Sequence, residues 1–157
     1  TKHGVIISFN IIVGYPTETE KDFNDTLTLL KVVSDINETI PNKKYRHAIG
    51  GLNYCYIINN TDLQTPAMGK ELGIILNNGE WELKDKIEGL PYNKIIRMRR
   101  LITTIHFIEG LTYEKVCAAG SQARLPALVT DYKKLTNEDF IIPTSLPRPG
   151  NEGLTPR

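Results

Sequence analysis

Residues 4–13 (Gly-Val-Ile-Ile-Ser-Phe-Asn-Ile-Ile-Val) form a β-branched run without helical period that ends at Gly14, the pattern of a buried strand. Alternation along it places Asn10, Ile12 and Gly14 on one face and Phe9, Ile11 and Val13 on the other. From Thr17 the apolar spacing changes to three and four, with Phe23, Leu27, Leu30 and Val33 on one side, which predicts an amphipathic helix ending before Pro41. Thr17 and Glu20 stand at capping-box spacing at its start. Residues 48–58 return to strand composition. Strand, helix and strand in this order predict two parallel neighbours joined by a crossover.

Farther along, Thr65-Pro66 should cap a short helix through Met68 and Leu72 that stops at Gly73. Asn77-Asn78-Gly79 is a turn signal, and Trp81 in the charged stretch after it is expected to anchor a loop. Residues 93–109 give the clearest second helix: Ile95, Met98, Leu101, Ile102, Ile105 and Ile108 form its apolar side, and Gly110 follows. Two weaker helices are expected at 112–119 and 126–135, and past Ile142 the prolines and glycines predict an extended or disordered tail. The expected organisation is an α/β segment at 1–76, a mainly helical extension at 77–140 and a loose tail at 141–157.

Charge changes this picture little, because 19 Lys and Arg face 18 Asp and Glu. No global field favours nucleic acid or an anionic membrane. Cys55 and Cys117 have neither the spacing of a zinc site nor that of a disulfide framework, which fits a reducing, cytoplasmic setting. No apolar run reaches the roughly 20 residues of a spanning helix. His3, His47 and His106 show no metal-ligand spacing, so no metal site is expected, and Cys55 reads as a small buried hydrophobe. The Asn-x-Thr sequons at Asn24, Asn37 and Asn59 would matter only in a secreted protein.

The bend Ile12-Val13-Gly14-Tyr15-Pro16-Thr17-Glu18-Thr19-Glu20-Lys21-Asp22-Phe23 is the most distinctive stretch. A glycine and a proline at a strand-to-helix elbow mark a place where α/β proteins bring backbone close to ligands. With Lys2-His3-Gly4-Val5 before it, it resembles the fifth strand and helix of radical S-adenosylmethionine enzymes, nearest to their cobalamin-associated and methylthiotransferase-like branches. Thr65-Pro66-Ala67-Met68-Gly69-Lys70-Glu71-Leu72-Gly73-Ile74 resembles the stretch after the sixth strand of those barrels, and the helix around Arg97–Arg100 falls where they often place one.

The resemblance implies an α/β fold, a partial (β/α) barrel of parallel strands and crossover helices followed by a mainly helical half. It also implies S-adenosylmethionine as ligand, with Ile12, Gly14 and Tyr15 as contacts on its adenine side and Glu18 as the brace of the loop and first helical turn. Such enzymes cleave the sulfonium reductively to a 5'-deoxyadenosyl radical with a four-iron four-sulfur cluster, and one branch also uses cobalamin. Their cluster is held by Cys-x-x-x-Cys-x-x-Cys, a motif these 157 residues do not contain. The chain is therefore expected to be the distal part of such an enzyme, inactive alone, and to pair with another copy or with the missing barrel half. The alternative is a noncatalytic module that binds protein or nucleic acid through the basic helix 93–109, whose Lys94, Arg97, Arg99 and Arg100 read as a solvated face.

Overall fold

The computed structural model describes residues 5–58, 61–77, 80–111 and 124–143. Its elements are β1 (Ser8–Val13), α1 (Glu20–Glu38), β2 (Ala48–Tyr54), α2 (Pro66–Glu71), β3 (Ile74–Asn77), β4 (Glu80–Leu83), α3 (Lys94–Glu109) and α4 (Leu125–Thr136). Helix α1 returns the chain so that β2 lies parallel to β1, with Ser8 beside Ala48 and Val13 beside Tyr54. The ladder slips by one residue between Phe9 and Asn10, leaving Gly50 unpaired. A side chain there would meet the Ser8 hydroxyl at 2.7 Å.

The expected alternation holds through Val13, whereas Gly14, expected on the face of Asn10 and Ile12, is buried against Arg97. Phe9, Ile11 and Val13 point with Ile49 and Leu52 into a core that takes in Phe23, Leu27, Leu30 and Val33 of α1. Met98, Leu101, Ile102, Ile105 and Ile108 of α3 and Leu128 and Tyr132 of α4 complete it. This core draws on residues from both sides of position 76. On the opposite face Ser8, Asn10, Ile12 and Gly50 are exposed, so among the described residues helices cover the parallel pair on one side only. The fold is mixed α/β, and the described residues form two sheets of two strands each. No barrel closes among the described residues.

Several boundaries differ from the sequence reading. The first strand begins at Ser8 rather than residue 4, because its partner begins at Ala48 directly opposite; Val5, Ile6 and Ile7 are left exposed. The second strand ends at Tyr54 rather than 58, because β1 turns away at Gly14 and offers no partner beyond the Cys55 N–H bond to the Val13 carbonyl at 2.7 Å. Thr19, not Thr17, caps α1: its hydroxyl accepts from the Asp22 N–H while the Asp22 carboxylate accepts from the Thr19 N–H. Thr17 is displaced from that role by the turn that the Glu18 N–H closes on the Tyr15 carbonyl.

Trp81 lies on a strand rather than a loop. β3 and β4 pair antiparallel from Ile74 opposite Leu83 to Asn77 opposite Glu80, and the wholly buried Trp81 forms a second small core with Cys55 and Leu83. The turn residues Asn78 and Gly79, the helix expected at 112–119 and residues 144–157 lie outside the described residues. The helices expected at 93–109 and 126–135 are present as α3 and α4, and Asn93, Thr65 and Gly110 take their capping places. Among the described residues no helix is long and apolar enough to cross a membrane.

Ile102 is wholly buried at the centre of the main core. Ile102→Ala should therefore lower stability by about 2 to 5 kcal/mol, read as a lower urea midpoint at unchanged slope. A loss below about 1 kcal/mol would mean that α3 does not pack as described.

Candidate functional site

At the carboxyl end of β1 the backbone of Gly14 enters the left-handed region (φ +76°). A Cβ at this position would lie 2.8 Å from Cγ of Arg97, so both the dihedral and the approach of α3 require glycine. Pro16 is buried, and the chain folds back so that the Gly14 N–H donates to the Glu18 carboxylate at 2.7 Å. The elbow is thus closed by its own carboxylate four residues later.

Arg100 of α3 meets the same carboxylate oxygen. Its Nη1 donates to Glu18 Oε2 at 2.5 Å and to the Glu18 carbonyl at 2.9 Å. Its Nη2 donates to Glu20 Oε1 at 2.9 Å and to the Gly89 carbonyl at 2.8 Å. The guanidinium carbon lies 5.3 Å from the centre of the Phe23 ring. Burial pushes the Glu18 carboxyl above its ordinary value, against the opposing pull of the Gly14 N–H and of Arg100. Two charges taken out of water in this way confer little net stability, but removing either partner strands the other.

One turn earlier on α3, Arg97 is wholly buried with its guanidinium 3.8 Å above the Trp81 ring. Its Nη2 lies 3.4 Å from Glu80 Oε2, while Lys94 Nζ reaches Glu80 Oε1 at 2.6 Å. Nε and Nη1 of Arg97 find no hydrogen-bond partner among the described residues. Burial lowers the Arg97 pKa, and Glu80 partly offsets it. The Trp81 indole donates to the Cys55 carbonyl at 3.0 Å, tying the hairpin to the end of β2. The Cys55 thiol is buried, and burial raises its pKa, the setting of an unreactive cysteine.

The four site residues that the resemblance implies, three as nucleotide contacts and Glu18 as a brace, fall into two pairs. Ile12 and Tyr15 are exposed at the strand end, by 61% and 42%. Gly14 and Glu18 are turned inward, the glycine against Arg97 with its N–H already donated, the carboxylate between that N–H and Arg100. The Glu18 carboxylate closes the loop on the Gly14 N–H and meets α3 through Arg100, while the first turn of α1 is capped by Thr19 and Asp22.

Arg97 and Arg100 contradict the reading of a solvated basic face, since both are buried. This removes them from any nucleic-acid surface; Arg99 on the same helix stays exposed. The signal was available in the spacing: Arg97 and Leu101 are four apart, as are Arg100 and Thr104, so both arginines share a side with buried positions. What the pattern lacked was Glu18, 82 residues away from Arg100.

His47 is buried, and its Nδ1 accepts from the Ile7 N–H at 3.2 Å. Asn37 is wholly buried, with its amide bonded to both the N–H and the carbonyl of His47. That sequon is therefore structural. Among the described residues no three His, Cys, Asp or Glu come together as metal ligands. Cys55 is the one cysteine described, Cys117 lying outside, so the residues described do not fit an iron–sulfur cluster. No protein-family model, curated protein or solved structure matches the chain.

Titration of Glu18 provides a test of this geometry. An acid whose folded pKa is raised stabilises the fold while protonated and loses that contribution as pH rises through and above its unfolded value of 4.5. The stability of the native protein relative to Glu18→Gln should therefore fall as pH is raised from 4 towards neutrality, measured by urea unfolding at each pH. A relative stability that rises over the same interval would contradict the placement of Glu18.

Proposed function

We propose that this chain forms the adenine-side wall of an S-adenosylmethionine site in a barrel of the radical enzyme type, the cluster being carried by another segment. The observation that carries the reading is the one-sided cover of the parallel pair among the described residues. Doubly wound sheets bear helices on both faces, whereas barrel strands bear them outside only and turn the other face to the lumen. Here the uncovered face is small and polar, with Ser8, Asn10, Gly50 and Gly51, and ends in Ile12 beside Asn53.

The elbow stands at the carboxyl end of that face, the end where α/β sheets bind ligands. Ile12 and Tyr15 offer apolar and aromatic surface there for a purine, while Gly14 and Glu18 fix the loop that presents them. What the nucleotide supplies when bound is a sulfonium that one electron can cleave. The chain's own part is to bind and orient its adenosine and to shield it from water.

The strand edges not used between β1 and β2, with exposed Val5, Ile6 and Ile7, ask for cover by further barrel strands or by a second copy. A reducing, cytoplasmic setting suits such an enzyme.

Saturation-transfer difference NMR with S-adenosylmethionine detects binding even at millimolar dissociation constants. The adenine protons should receive saturation from the protein, and Ile12→Asp, a change at an exposed position, should abolish the transfer. Absence of transfer to the native chain, or transfer indifferent to Ile12→Asp, would reject the reading.

A further inference from the structure

A cavity of about 450 Å³ opens where α3, α4 and the end of β2 meet. Met98 and Leu128 give it an apolar floor, and Lys94, Arg124 and Lys134 stand around it with the Tyr54 phenol. Its charge is unbalanced. Lys94 shares the Glu80 carboxylate with Arg97, Lys134 lies 3.5 Å from Asp131, and Arg124 donates to the neutral Asn53 amide oxygen at 2.7 Å. Three cations (Lys94, Arg124, Lys134) thus line it with one carboxylate (Asp131), an excess of two positive charges.

Arg97, one turn beyond Lys94 on α3 and outside the lining, is wholly buried with Nε and Nη1 unpartnered among the described residues, and its charge adds to the positive potential felt at Lys94. Tyr54 is the last residue of a parallel strand, so the cavity lies at the same carboxyl rim as the elbow. We infer that this cavity binds a small organic phosphate, its dianion among Lys94, Arg124 and Lys134 and its apolar body on Met98 and Leu128. A guanidinium suits phosphate because it donates two parallel N–H bonds, and the two ammonium groups add charge without fixed direction. The inference is independent of the proposed S-adenosylmethionine site and stands or falls separately from it.

Phenyl phosphate, inorganic phosphate and succinate, each titrated into the full chain and followed by amide chemical shifts, test it. Phenyl phosphate should move the resonances of Tyr54, Lys94 and Leu128 and bind more tightly than the other two. Arg124→Gln, at an exposed position, should weaken it about tenfold, the loss of one charge-assisted contact. Thermal unfolding of that variant at the native temperature separates lost binding from lost fold. No shift at these residues, binding unchanged by Arg124→Gln, or inorganic phosphate or succinate binding as tightly as phenyl phosphate would each overturn the inference.

Discussion

Arg100 reaches back across 82 residues of sequence to the Glu18 carboxylate, and the described fold is organised around that contact. One guanidinium joins the elbow, the first turn of α1 through Glu20 and the loop at Gly89 before α3. Each of these segments has weak local reasons to adopt its shape. A glycine in the left-handed region is tolerated rather than driven, and an isolated helix gains little from its cap. The buried carboxylate links them, because an ionised Glu18 away from water must find both the Gly14 N–H and a cation. Its contribution lies in specificity of conformation, since pairs of this kind seldom exceed an apolar contact in net stability.

Arg97 performs a parallel task for the hairpin. It fills the space that a side chain at Gly14 would need and stacks on Trp81, whose indole is fixed to the end of β2. The main core and the small core of Cys55, Trp81 and Leu83 therefore meet across a charged group instead of merging. The orphan N–H groups of Arg97 mark this junction as the least satisfied buried place on α3. It adjoins the carboxyl rim of the parallel pair, where both the adenosine surface and the phosphate cavity are proposed.

Elements whose information is local were legible in the sequence. The alternation of β1, the apolar stripe of α1 and the limits of α3 follow from spacing and caps, and Asn93 and Gly110 mark the ends of α3 within a residue. Elements defined by distant partners were not. The start of β1 depends on where Ala48 begins, and the cap of α1 depends on a turn that displaced Thr17. The hairpin strands are four residues each and interrupted by charge, too short for periodicity to register. Of the site, Gly14 and Glu18 were found through their place in the bend, whereas the burial of Arg97 and Arg100 became visible only once α3 met the elbow.

The adenosine reading presupposes that the elbow is held rigidly on α3. A double-mutant cycle on Glu18→Gln and Arg100→Gln, read by urea unfolding at neutral pH, measures that link apart from the packing of either side chain. A coupling of about 2 kcal/mol or more is predicted for a buried, hydrogen-bonded pair. Additive losses, with coupling below about 0.5 kcal/mol, would show that the elbow and α3 do not depend on each other and would contradict the account.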